Sequence, residues 1–316
     1  MLISLIVPCY NEEESLPHLY NALCEVRDSE DCKDKAFEFI FVNDGSSDKT
    51  AELIKEYASS DTCVRYVMFS RNFGKESAMY AGLQKAKGDY VAIMDADMQD
   101  PPSLIPDMIR SLDADECDIV AARRVTREGE PKIRSFFARA FYRLINRMCD
   151  VEIADGARDF RLMRRSVVDA ILKVTERQRF SKGIFAWVGF RTKWIEHVNT
   201  PRVAGETKWS FWKLFRYAID GIVAFTIAPL RLASIAGFVC AAAGFIYMVY
   251  YFIRAIILQI YNEVPGYPSL LCFILFIGGL ILMALGLIGE YVGRTYIETK
   301  ARPVYISAEE SEEEKS

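Results

Sequence analysis

The chain has 316 residues, a formal net charge of −4 and two histidines, His18 and His197. That charge provides no global basic field of the kind that draws nucleic acid, and two histidines argue against a histidine-built metal site or a catalytic triad. Eight cysteines are scattered without a CxxC pair, which suits reduced thiols in a cytosolic compartment better than a disulfide framework.

Met1 runs directly into the strand-like LISLIV, with no pattern of a cleavable signal peptide. Short apolar runs at Leu2–Val7, Phe37–Val42, Val64–Phe69, Tyr90–Met94 and Asp118–Ala121 read as strands. Between them, Glu12–Val26, Lys49–Ser59, Lys75–Lys87 and Pro102–Leu112 read as helices. The alternation predicts an α/β fold with a mostly parallel sheet covered on both faces. In such sheets ligands bind beyond the carboxyl ends of the strands. NDGSSD (Asn43–Asp48) and AIMDADMQD (Ala92–Asp100) follow the second and fourth strands, at such ends.

Beyond residue 205 the chain changes character. Leu232–Ile253 and Val264–Gly289 carry no charge, and each exceeds the about 20 residues that cross a bilayer. Lys208, Lys213, Arg216 and Arg231 precede the first stretch, while Arg294, Lys300 and Arg302 follow the second. The connection Gln259–Glu263 has no Lys or Arg, and Arg254 can snorkel, so the positive-inside rule predicts a multi-pass protein of the inner membrane with both termini cytoplasmic. Between the two regions, SFWKLFRYAIDGIVAFT reads as an interfacial amphipathic helix, and Phe136–Met148 is a second candidate. The expected division is a catalytic domain over 1–205, an interfacial helix over 206–230, a membrane hairpin over 231–293 and a cytosolic tail over 294–316. The acidic end EESEEEKS is expected to be solvated and disordered.

The cluster Asp95, Asp97, Gln99 and Asp100 costs free energy through like-charge repulsion unless something positive sits within it. A DxD pair at a strand end suits a hard divalent cation that takes oxygen ligands and keeps positions open for phosphate. Such an ion would neutralise charge on a diphosphate leaving group. Aspartates in loops also cap helices, and Asp100, before Pro101 and Pro102, is expected to do that.

IVPCYNEE (Ile6–Glu13), VNDGSSDKT (Val42–Thr50), SRNFGKESA (Ser70–Ala78) and DADMQDPP (Asp95–Pro102) stand in an order and spacing that resembles the inverting nucleotide-sugar glycosyltransferases of GT-A type, glycosyltransferase family 2. DGARDFRLM (Asp155–Met163), RFSKGIFAWVGF (Arg179–Phe190), RVAGETKWS (Arg202–Ser210) and the paired spans are similar to the polyprenyl-phosphate subgroup, relatives of dolichol-phosphate mannose synthase and the bactoprenol glucosyltransferases. The resemblance covers the chain apart from the acidic end, and it implies a GT-A, Rossmann-like sheet.

It also implies roles. Pro8, Tyr10, Glu12, Asp44, Arg71, Lys75 and Asp95 fall at positions that contact the nucleotide sugar, with Asp44 toward the base unless it only caps a turn. Asp97 and Gln99 match the metal ligands, Asp95 matches a metal or ribose ligand, and the ion would be Mg²⁺ or Mn²⁺. Asp97, Asp159 and Arg161 would line the reacting centre. For Asp159 a general base is the easy reading, but a phosphate acceptor with a second pKa near ~6 arrives largely dianionic. Asp159 is therefore expected to orient a neighbour such as Arg161, or to hold a donor hydroxyl.

Arg123, Arg124, Lys132, Arg134, Arg202, Lys208 and Trp209 could meet an acceptor phosphate, and each of the basic residues, as a single charge, could equally be solvated or bind headgroups. Arg123, Arg134, Arg202 and Lys208 are the chosen acceptor ligands. The resulting expectation is an inverting, metal-dependent UDP-sugar:polyprenyl-phosphate transferase, acting on undecaprenyl phosphate in a homo-oligomer at a membrane. Glucose or N-acetylglucosamine is the expected sugar. A processive synthase is the main rival, but the QxxRW motif and the additional spans of that class are missing. A catalytically dead scaffold is disfavoured by the intact Asp97 and Gln99.

Overall fold

A computed structural model describes residues 1–124, 157–197, 226–256 and 267–311. It divides into two compact units, one of Met1–Gly221 with Arg302–Ser316 and one of Ile222–Ala301.

In the first unit the strands expected from sequence all form. β1 (Leu2–Cys9) and β2 (Ala36–Asn43) are buried along nearly their whole length, the pattern of central parallel strands covered on both faces. β3 (Val64–Phe69) and β4 (Tyr90–Ile93) pair parallel to β2 and β1. Helices α1 (Leu16–Arg27), α2 (Thr50–Ser60), α3 (Lys75–Lys85) and α4 (Ile105–Asp113) connect successive strands or follow the last. α1 starts at Leu16, later than the sequence suggests, because residues 12–15 form a turn closed by the Leu16 N–H on the Glu12 carbonyl, with proline in the first helical turn. Leu16, Leu19 and Leu23 pack with Leu5, Val7, Phe39 and Phe41 in the core.

β5 (Ile119–Arg124), β6 (Ala157–Arg164), α5 (Arg165–Lys173), α6 (Ser181–Trp187) and β7 (Thr192–His197) complete one side of the sheet, and β8 (Ser307–Glu310) completes the other. The strand order is β7-β5-β6-β4-β1-β2-β3-β8. β6 runs antiparallel to both β4 and β5, and β8 antiparallel to β3; the remaining pairs are parallel. The carboxyl ends of β1 to β5 and β7 therefore lie at one end of the sheet, together with the amino ends of β6 and β8.

β8 corrects the expectation of a disordered end at Glu309 and Glu310. The Lys55 ammonium lies 2.5 Å from Glu309 and the Lys85 ammonium 2.5 Å from Glu310, so both carboxylates are neutralised while their backbone extends the sheet. Residues 312–316 lie outside the described residues.

The second unit holds α7 (Ala228–Ile256) and α8 (Tyr267–Thr299), 29 and 33 residues long. At 1.5 Å per residue, each is longer than the about 30 Å hydrocarbon thickness of a bilayer. Both are long and apolar enough to cross a membrane. They expose Phe238, Leu282 and Met283, which in water would form large apolar patches. The Tyr291 hydroxyl donates to the Thr226 carbonyl at 2.7 Å and ties the start of the unit to α8. α8 continues past the expected end of the span at Gly289 to Thr299. The candidate interfacial helix at Phe136–Met148, and most of that over 206–230, lie outside the described residues.

Candidate active site

Three loops meet at the carboxyl ends of β1, β2 and β3. After β1, the Asn11 N–H donates to the Ser46 hydroxyl at 3.0 Å and the Glu12 N–H to Thr50 at 2.8 Å. In return the Ser47 N–H donates to the Asn11 side-chain oxygen at 2.8 Å. Pro8 and Tyr10 lead into this junction, and the Tyr10 side chain is exposed. Glu12 accepts from the Ser15 hydroxyl at 2.7 Å. Asp48 accepts the N–H of Thr50, the first residue of α2, and that of Glu13 on the loop after β1, and so joins the two.

The loop after β2 touches the loop after β3 backbone to backbone. A Cβ on Gly45, whose φ is +67°, would lie 2.5 Å from the Arg71 carbonyl carbon, so only glycine permits the approach. Buried Asp44 accepts the Phe73 N–H at 2.6 Å and the Gly74 N–H at 2.9 Å. Burial raises its pKa, partly countered by those two amides and by Arg71. Arg71 is exposed, with its guanidinium 4.0 Å from the centre of the Phe73 ring. Asp44 thus shapes the loop that carries Arg71.

Lys75 follows Gly74 and opens α3. Its ammonium lies 2.5 Å from Asp95 Oδ1 and 2.5 Å from Asp159 Oδ2. The β4–β6 register explains why those carboxylates meet: Ile93 stands opposite Arg161, and two further residues along the same register set Asp95 opposite Asp159. Lys75 is the positive charge that two facing carboxylates require. Burial opposes the lysine's charge, but Asp159 and Asp95 outweigh it and hold the ammonium well above its ordinary pKa. Burial likewise raises Asp159, yet Lys75, Lys182 and Arg161 outweigh it and hold the carboxyl well below its usual range.

Arg161 differs from expectation. Its Nε donates to the Asp159 backbone carbonyl at 3.2 Å and its Nη2 to the Arg158 carbonyl at 2.8 Å, with the guanidinium 3.7 Å from the centre of the Phe185 ring. The Asp159 carboxylate therefore engages Lys75, while Arg161 is a buried support under the strand. Burial lowers its pKa to about 10, against the pull of Asp159 and Glu76.

At the other end of the acidic loop, the Gln99 N–H donates to Asp97 Oδ1 at 3.1 Å across Met98, whose φ of +58° marks a tight turn. The Gln99 side-chain oxygen accepts from Arg158 Nη2 at 3.3 Å. Asp100 is not a helix cap. The residue before the 3-10 turn Pro102–Leu104 is Pro101, and no side chain caps it. The buried Asp100 carboxylate instead lies 2.9 Å from His197 Nε2 and 3.4 Å from Arg158 Nε. Burial raises its pKa, with Arg158 countering and Asp95 adding. Arg158 thus contacts the far end of the acidic loop directly, while its neighbour on β6, Asp159, is linked to the near end through Lys75.

Among the described residues no three carboxylate, histidine or cysteine side chains converge on one point. The acidic loop carries the Asp95 and Asp97 carboxylates and the Gln99 amide oxygen, all hard oxygens. They fit a Mg²⁺- or Mn²⁺-type ion that completes its shell from water or phosphate. Arg123 lies near the end of β5, at the same end of the sheet. Arg134, Arg202 and Lys208 lie outside the described residues.

Arg158, Lys182, His197 and the Glu76 carboxylate, which accepts the Ser181 N–H at 3.0 Å, escape the reading from sequence. The DGARDF motif holds a signal for Arg158, since its arginine precedes the aspartate on what proves to be a strand.

The sequence pattern of Glycosyl transferase family 2 matches residues 4–172, and that of the GtrB C-terminal hairpin matches residues 228–295. The chain is 44% identical over 306 residues to the prophage bactoprenol glucosyl transferase homolog of Escherichia coli (strain K12), covering 97% of this chain and 98% of that protein. It is 43% identical over 306 residues to the bactoprenol glucosyl transferase of Shigella phage SfX, with the same shares of 97% and 98%. It also resembles a solved glucosyl-3-phosphoglycerate synthase from Mycobacterium tuberculosis, in complex with Mn²⁺ and uridine-diphosphate-glucose. That likeness has a TM-score of 0.46 at 20% identity, over 70% of this chain and 77% of the other.

Proposed function

Because the chain belongs to glycosyl transferase family 2, with a GT-A fold and a GtrB-type C-terminal hairpin, we propose that this glycosyltransferase moves a hexosyl group from a UDP-sugar to a polyprenyl phosphate. Undecaprenyl phosphate is the proposed acceptor, and glucose, ahead of N-acetylglucosamine, the proposed sugar. The observation that carries the reading is similarity at 44% identity to a bactoprenol glucosyl transferase homolog along 97% of the chain, hairpin included. The reaction is proposed to run at the cytoplasmic face of the membrane, in a homo-oligomer.

In the proposed reaction an acceptor phosphate oxygen attacks the anomeric carbon from the side opposite UDP. The new carbon–oxygen bond forms as the bond to UDP breaks, UDP departs with the electron pair, and configuration inverts. Asp95, Asp97 and Gln99 would hold a divalent cation, which when bound supplies positive charge against the diphosphate. The loop built by Asp44, with Arg71, is proposed to take the nucleotide, together with Pro8, Tyr10 and Glu12. Lys75 is suited to a second role, because its ammonium stands between two carboxylates where a further negative group can share it. Asp159 then holds Lys75 in place. Arg123, Arg134, Arg202 and Lys208 are the proposed partners of the acceptor phosphate.

A panel of UDP-sugars offered to purified protein with undecaprenyl phosphate tests the donor. A lipid-linked product whose mass matches added hexose, formed fastest from UDP-glucose, is the expected result. Product from UDP-N-acetylglucosamine alone would replace glucose in this reading.

A further inference from the structure

The segment after the second candidate span returns to the sheet beside the donor loop. β8 pairs with β3 so that Ser307 faces Phe69, and the Ser70 N–H donates to the Ile306 carbonyl at 3.0 Å. Just before the strand, the Tyr305 ring stacks on Phe69, with centroids 4.8 Å apart and planes 19° from parallel. Phe69 in turn meets Phe73 edge-on, at 5.7 Å and 88°. The Phe73 N–H is the one that Asp44 accepts at 2.6 Å, and its ring lies under the Arg71 guanidinium. Three aromatic rings thus run from the C-terminal segment into the loop whose next residue but one is Lys75. The Tyr305 hydroxyl fixes the outer end by donating to Gln84 Oε1 at 3.0 Å.

We infer that Tyr305 is a positioning residue for the donor site, acting through Phe69 and Phe73 on the loop that carries Arg71 and leads into Lys75 at the start of α3. The inference rests on the proposed UDP-sugar reading and adds to it a contribution from beyond the membrane hairpin. Neither Phe69 nor Phe73 can shift without disturbing the other, because edge-on and stacked rings have defined minima. Removing Tyr305 frees Phe69 on one side and loosens the Phe73 and Gly74 amides on Asp44. The ring interactions at stake correspond to about a threefold to tenfold change in affinity.

The test uses the full chain in detergent and UDP as the probe. Tyr305→Leu keeps apolar bulk but loses the stack, and Tyr305→Phe keeps the stack but loses the bond to Gln84. Tyr305→Leu is expected to weaken UDP binding by about threefold to tenfold, with a matching rise in donor KM. Its kcat should stay within about twofold, and the Phe73 and Gly74 amides should exchange hydrogen faster. Tyr305→Phe should bind UDP as the parent does. Equal UDP affinity and equal amide exchange in Tyr305→Leu and parent would overturn the inference alone. A parent protein that does not bind UDP would overturn the donor reading and this inference with it.

Discussion

Lys75 and Asp159 form an ion pair of 2.5 Å that ties the first turn of α3 to β6, and the same ammonium reaches Asp95 on the loop after β4. Three elements distant in sequence are joined through one charge. The lysine side chain keeps 37% of its surface exposed, so it can still meet a ligand.

Replacing that charge is therefore expected to hurt turnover more than folding. Lys75→Met leaves Asp95 and Asp159 facing each other without a cation, and kcat/KM should fall by about a hundredfold or more, the scale of losing one electrostatic stabiliser. Steady-state kinetics beside a thermal melt measures both effects. Near-normal kinetics would remove Lys75 from the machinery.

Asp159→Asn separates a general base from a holder. Lys75, Lys182 and Arg161 hold Asp159 well below the ordinary carboxylate range despite its burial, so it is ionised throughout about pH 5.5 to 8.5 and is a weak proton acceptor there. The acceptor phosphate, with its second pKa near ~6, crosses its own titration in that window. The rate deficit of the variant should be large and nearly flat with pH. Recovery toward parent activity at alkaline pH would instead assign Asp159 the role of base.

The central strands are legible in the sequence because β1 and β2 are mostly apolar, interrupted by Ser4 and Glu38, and the acidic loop is legible because its carboxylates follow such a run. β6 is not. Its eight residues, ARDFRLMR, hold three arginines and an aspartate, and only tertiary partners explain them: Arg161 lies against Phe185, and Arg164 donates to the Leu112 carbonyl at 2.6 Å. β8 is hidden for the same reason, since Glu309 and Glu310 look solvated until Lys55 and Lys85 are placed opposite them. Asp100 misleads because local rules favour a cap before proline, whereas its partners His197 and Arg158 come from far along the chain.

Asp97→Asn should abolish turnover while the melting temperature stays close to that of the parent, because a neutral side chain holds a cation less strongly against a diphosphate. EDTA should silence the parent enzyme, and added Mg²⁺ or Mn²⁺ should restore it. Activity that survives both the substitution and chelation would refute a role for the ion.

Orientation can be read by labelling. Cys63, partly exposed in the first unit, should resist an impermeant thiol reagent in intact cells, and a cysteine placed at Asn262, between the two candidate spans, should react. External labelling of a cysteine introduced near the C-terminus would invert the proposed topology.

Transfer to a lipid phosphate is tested most directly by partition. Purified protein is given UDP-glucose radiolabelled in the sugar, with and without undecaprenyl phosphate, and the reaction is extracted with organic solvent. Label should enter the organic phase only when the lipid is present, with UDP released in equal amount. Label that stays in water as free glucose or polymer, whether or not the lipid is added, would contradict such transfer.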